Sequence, residues 1–137
     1  MENFTFKGNK LFWNNFALAN IAKKYKTPFY LYSQKQLQSN AIFFKRTFSK
    51  VNPLISFSLK SNSNKAIIKE YAKLGLGADV VSVGELMLAL KSGIKPSKIV
   101  FSGVGKTYDE LKYAICNCYP ELKKIYDYIY KNLDKLA

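Results

Sequence analysis

Few residues in this chain could do chemistry, and the sharpest candidate is a lysine. Lys60 closes an apolar run, 54–59, that reads as a buried strand, and a Ser/Asn turn follows it. An amine at the carboxyl end of a strand, partly walled by apolar side chains, is suited to form a Schiff base with a carbonyl. By position alone the ordinary reading wins, since most lysines are solvated and one at a strand end is usually a surface lysine. Asp79 falls inside a second apolar stretch, 78–81, where a carboxylate needs a hydrogen-bonding partner. Glu85 stands three residues after Ser82, the spacing of a helix capping box, so it has a structural reading of its own. The chain has no His, which excludes His-based acid–base catalysis and His metal sites within it.

Other candidate motifs fail on inspection. The stretch Gly75-Leu76-Gly77-Ala78-Asp79-Val80 has Val80 where a dinucleotide fingerprint needs its last glycine, and it precedes a strand instead of joining strand to helix. The stretch 102–107, Ser-Gly-Val-Gly-Lys-Thr, ends like a phosphate-binding loop, but Val100 occupies the place of the first glycine. Cys116 and Cys118 are the only cysteines; one C-x-C pair without His or a second pair is not a zinc site, and no metal site is expected.

The elements that must position Lys60, Asp79 and Glu85 follow a regular rhythm. Residues 3–14 alternate around a Lys-Gly-Asn turn and predict a hairpin, and 16–26 carry apolar residues at helical spacing. Thr27-Pro28 ends that helix, because a residue before Pro avoids the helical region. Strands are then expected at 29–32, 54–59, 78–81 and 98–102, and helices at 34–49, 64–74, 83–92 and 108–116. Ser33–Gln36, Ser82–Glu85 and Thr107–Glu110 have capping-box spacing, and Gly75 and Gly93 stand where helices stop. The strands read as apolar on both faces, the pattern of a parallel sheet covered by helices. Four successive βα units predict an α/β fold, either an open sheet or a partial (β/α)8 TIM-type barrel, since a complete barrel takes about 250 residues. After them, Leu122, Ile125, Tyr126, Ile129, Leu133 and Leu136 form an amphipathic helical stripe. The expected division is a hairpin and helix over 1–26, a partial barrel over 27–117 and a helical tail over 118–137.

Composition bounds the partners. The 137 residues are 48% hydrophobic, enough for one globular domain. The net charge of +13 raises nucleic acid as a partner. However, the basic residues are spread along the chain and Arg46 is the only arginine, so the residue type that reads bases and phosphates bidentately is scarce. Nucleic acid is therefore not an expected partner. No run is long and apolar enough to span a membrane, and the N-terminus lacks the features of a signal peptide, so a cytoplasmic protein is expected.

Taken together, several separated motifs carry a family resemblance. Thr27-Pro28-Phe29-Tyr30-Leu31-Tyr32-Ser33, then Phe57-Ser58-Leu59-Lys60-Ser61-Asn62, then the stretch 74–94 with Ala78-Asp79-Val80-Val81-Ser82-Val83-Gly84-Glu85-Leu86, then 98–111 follow in the order and at the spacing of diaminopimelate decarboxylase. The chain resembles the N-terminal part of that family, the alanine-racemase-like barrel decarboxylases that use pyridoxal 5'-phosphate (PLP), over roughly residues 3–116.

The resemblance implies that Lys60 holds the cofactor, that Asp79 is an acidic residue near the cofactor and this lysine, and that Glu85 helps to order the site. It implies decarboxylation of meso-diaminopimelate to L-lysine, an amino-acid substrate and a homodimer. A ring-stacking histidine, a glycine-rich phosphate site, a glutamate on the pyridine nitrogen and a cysteine from across the dimer have no counterpart in these residues. The 137 residues alone are therefore expected to be inactive and to self-associate. A related ornithine- or arginine-type decarboxylase and a non-enzymatic basic binding module remain the alternatives.

Overall fold

The computed structural model describes residues 4–119, 122–124, 127 and 131. The N-terminal hairpin forms as the alternation predicts. Strand β1 (Phe4–Lys7) pairs antiparallel with β2 (Lys10–Trp13), and Gly8 takes the positive φ that the tight turn needs. A two-residue strand β3 (Phe16–Ala17), which the sequence pattern does not reveal, adds to β2 before helix α1 (Leu18–Tyr25) begins. Two residues are too few to show an alternation; only the partner strand defines them.

Helix α2 (Gln34–Thr47) starts at Ser33, whose hydroxyl accepts from the Gln36 N–H at 3.1 Å. Strand β4 (Ser56–Ser58), helix α3 (Lys65–Lys73), strand β5 (Gly77–Val80), helix α4 (Val83–Lys91), strand β6 (Ile99–Phe101) and helix α5 (Tyr108–Cys118) then alternate. The three strands β4, β5 and β6 form one parallel sheet in chain order, with Ser58 opposite Asp79 and Asp79 opposite Val100. The expected strand at 29–32 is not among them: Phe29 to Tyr32 belong to neither sheet, and Tyr30 and Tyr32 stack on each other with ring centroids 6.4 Å apart. An apolar run shows that a segment can be buried in a sheet, but strand character requires a hydrogen-bonding partner. The helical stripe beyond residue 118 lies largely outside the described residues; of its members only Leu122 is described, and it is half-exposed.

The core fills the space between the sheet and its helices. Side chains alternate across a strand, so Ala78, Val80 and Ile99 share one face and are buried against Ile68, Leu86, Ala89 and Ala114. The helical members fall at helical spacing: Leu86 and Ala89 on α4, Ala114 and Cys118 on α5. The other face is not apolar, contrary to the expectation of strands greasy on both sides. It carries Ser56 and Ser58 from β4, Gly77 and Asp79 from β5 and Val100 from β6, and Val100 is 44% exposed. Gly77 is required by close approach, since a Cβ there would stand 2.3 Å from the Lys98 carbonyl and 2.8 Å from the Ser56 hydroxyl.

Two ties lock the layers. Glu70 on α3 accepts from Gln34 at 2.8 Å and Gln38 at 3.1 Å, both on α2, and pairs with Lys73 at 2.6 Å. The Tyr119 hydroxyl donates to the Ile99 carbonyl at 3.0 Å and fastens the end of α5 to β6.

Candidate active site

The residues singled out for chemistry gather at the carboxyl-terminal end of the parallel sheet. Strand β4 ends at Ser58, one residue earlier than the apolar run suggested, and Leu59–Ser61 form a 3-10 turn. Leu59 is buried in the core, so the run stays apolar after strand pairing has stopped. Lys60 therefore sits on a turn just beyond the strand, with an exposed side chain, and not on the strand itself. The turn is braced locally: the Ser61 hydroxyl donates to the Ser58 carbonyl at 2.7 Å, and the Asn62 N–H to the Leu59 carbonyl at 3.1 Å. Asn64 then caps α3 by accepting from the Ala66 N–H at 2.9 Å.

Asp79 is half-buried on the open face of β5, one strand over. Its carboxylate accepts from Ser58 at 3.2 Å and from Ser102, just past β6, at 2.5 Å. A carboxylate inside a sheet thus has the hydrogen bonds its burial demands, from both neighbouring strands. The sequence pointed to Asp79 and missed the two serines. Ser58 lies two residues before Lys60 and Ser102 opens the glycine-containing loop, but only the strand register brings them to one carboxylate.

Glu85 is in the first turn of α4. Its backbone N–H donates to the Ser82 hydroxyl at 3.3 Å, as the capping spacing predicts, while its carboxylate accepts from the Val81 N–H at 2.8 Å. The side chain reaches back over the β5–α4 turn to the first residue after the strand. Beyond β6, Lys106 lies over the Phe101 ring, 4.8 Å from its centroid, and donates to the Gly103 carbonyl. Thr107 and Glu110 complete a reciprocal capping box at the start of α5, and the Thr107 backbone and side-chain donors hold the Glu110 carboxyl below its ordinary range.

Lys60 and Asp79 flank the same rim, yet they make no ion pair; among the described residues the pair within 4 Å is Lys73–Glu70. The arrangement offers an exposed primary amine, a carboxylate fixed by two hydroxyls, and a polar open face.

Residues 34–123 match the family described as pyridoxal-dependent decarboxylase, pyridoxal binding domain. The chain belongs to the pyridoxal-dependent decarboxylases. A diaminopimelate decarboxylase of Zymomonas mobilis is 44% identical over 115 residues, 82% of this chain and 27% of the relative. Among solved structures, diaminopimelate decarboxylase from Helicobacter pylori complexed with L-lysine matches 72% of this chain and 25% of its own at 44% identity, with a TM-score of 0.69. The enzyme from M. jannaschii in co-complex with L-lysine matches 83% of this chain and 28% of its own at 33% identity, with a TM-score of 0.78. The chain spans about a quarter of the length of these curated relatives. Its parallel sheet and helices correspond to the N-terminal barrel domain of these decarboxylase structures. The residues of the rim fit the aldehyde end of a pyridoxal cofactor: Lys60 is exposed, makes no ion pair among the described residues, and stands at a polar edge.

Proposed function

We propose that the chain is the N-terminal part of a PLP-dependent diaminopimelate decarboxylase, which converts meso-diaminopimelate to L-lysine and CO2. The observation that carries this reading is the exposed Lys60 amine just past β4, with the Asp79 carboxylate fixed on the neighbouring strand, in a chain whose matched relatives are diaminopimelate decarboxylases. The cofactor, when bound, supplies the electron sink that takes up the pair left by the departing carboxylate. Lys60 supplies the amine that attaches the cofactor. Asp79 supplies a carboxylate at the same rim, on the neighbouring strand. Glu85 fixes the β5–α4 turn through the Val81 N–H, so that the rim keeps its shape. The substrate is a small amino acid, the working assembly is a homodimer and the compartment is the cytoplasm.

On this reading the 137 residues alone do not turn over. Remote contacts to the phosphate and ring normally hold a cofactor in register, and the groups that the resemblance assigns to those contacts have no counterpart here. Incubation with PLP followed by borohydride reduction should label many lysines weakly, with Lys60 among them.

The test is a chimera in which residues 1–116 replace the matching segment of the Helicobacter pylori enzyme. It should form lysine from meso-diaminopimelate, and Lys60→Ala in the chimera should abolish product. An inactive but folded chimera, or one that decarboxylates ornithine or arginine in preference, would overturn the assignment.

A further inference from the structure

Each carboxylate oxygen of Asp79 is taken by a different serine. Ser102 donates to Oδ1 at 2.5 Å and Ser58 to Oδ2 at 3.2 Å. The donors come from opposite sides: Ser58 ends β4, Ser102 follows β6, and Asp79 is on the strand between them. The ladder does not require these side chains, since the Ser102 backbone N–H donates to the Val80 carbonyl at 2.9 Å whatever side chain it bears. The turn that carries Lys60 packs against β5, and its Ser61 hydroxyl is bonded to the Ser58 carbonyl. The exposed Lys60 is thus carried on a turn against the strand that bears Asp79, and the two side chains do not meet within 4 Å.

We propose that Ser58 and Ser102 are positioning residues that hold the Asp79 carboxylate out of an ion pair with Lys60, leaving the amine free to bond an aldehyde. A carboxylate that loses a hydroxyl donor has a free acceptor position, and an ammonium carried at the same rim is a stronger donor than the hydroxyl it would replace. An amine held as an ammonium in an ion pair has no lone pair to attack a carbonyl. The importance of this device rests on the reading of Lys60 as the cofactor-bearing residue, but the device itself can be measured without the cofactor.

The measurement is reductive methylation of the 137-residue chain with formaldehyde and an amine–borane, read lysine by lysine by peptide mass spectrometry. The amine condenses with the aldehyde, water leaves, and the borane delivers the hydride. Ser58→Ala and Ser102→Ala should each slow methylation of Lys60 roughly two- to five-fold, the range an exposed ion pair gives, and leave exposed Lys91 unchanged. Adding Asp79→Asn to either variant should restore the rate, which a purely structural role for the serines does not predict.

Lys45 and Lys98 report the fold, because their amines donate to the Leu74 and Gly75 carbonyls at 2.9 and 2.7 Å and react faster only if that region opens. If an alanine variant speeds them, Ser58→Cys and Ser102→Cys take its place, with a weakly donating thiol of similar size, and must show the same slowing. An unchanged Lys60 rate in the folded variants, or slowing that persists with Asp79→Asn, overturns the proposal. A slowed and rescued Lys60 beside an inactive chimera would overturn the cofactor reading alone.

Discussion

Glu70 shows how much one side chain can organise. The Lys73 ammonium, then the Gln34 and Gln38 amides, hold its carboxyl down at about 2, well below the ordinary 4.5. A carboxyl with a depressed folded-state pKa stabilises the fold fully above its unfolded value and loses that contribution as pH falls through the folded one. The window here runs from about 4.5 down to about 2. Glu70→Gln should therefore lower the urea midpoint near neutral pH, and the gap from the unsubstituted chain should close towards pH 2. A gap that stays constant across the window would show that the carboxylate does not tie α2 to α3. Burial alone pushes the Cys118 thiol up, which accords with a structural role for the buried cysteine of the C-x-C pair.

The elements make different demands on the same kinds of residue. In β5, Gly77 lies against the Lys98 carbonyl, which is backbone and cannot move aside as a side chain could. Gly77→Ala should cost about 1–3 kcal/mol through overpacking, read as a lowered denaturant midpoint. In α5, Thr107→Ala removes the cap and should cost about 1 kcal/mol, while Thr107→Ser should cost little. Ile68, fully buried between α3 and the sheet, should lose about 2–5 kcal/mol on truncation to Ala, depending on how far the cavity collapses. If Ile68→Ala cost no more than Thr107→Ala, the core between sheet and helices would be looser than its burial indicates.

The whole molecule presents two incompatible surfaces. Its net charge of +13 keeps copies apart, whereas Tyr30, Phe43, Phe44, Val100 and Val104 are exposed and β4 and β6 leave their outer edges unpaired within the three-stranded sheet. Salt screens the charge and leaves the apolar attraction intact, so self-association should increase with ionic strength. Size-exclusion chromatography of the 137-residue chain at low and high salt checks this. A compact monomer at high salt, retained after deletion of 118–137, would show that the exposed faces do not associate.

What the sequence determined by itself is what local chemistry encodes. The hairpin alternation, the helices expected over 34–49 and 83–92 and found over Gln34–Thr47 and Val83–Lys91, and the hydroxyl caps at Ser33, Ser82 and Thr107 all depend on residues within a few positions of one another. The motif order also sufficed to place the chain in its family, because spacing along the chain survives without any knowledge of contacts. The tertiary structure decided everything that depends on which strand lies beside which. It left 29–32 outside the sheet, ended β4 at Ser58 and set Lys60 on a turn. It also delivered Ser58 and Ser102, separated by 44 positions, to one carboxylate. Strand pairing is a long-range choice, fixed by register and by the burial of the opposite face, and no local pattern around Asp79 contains either.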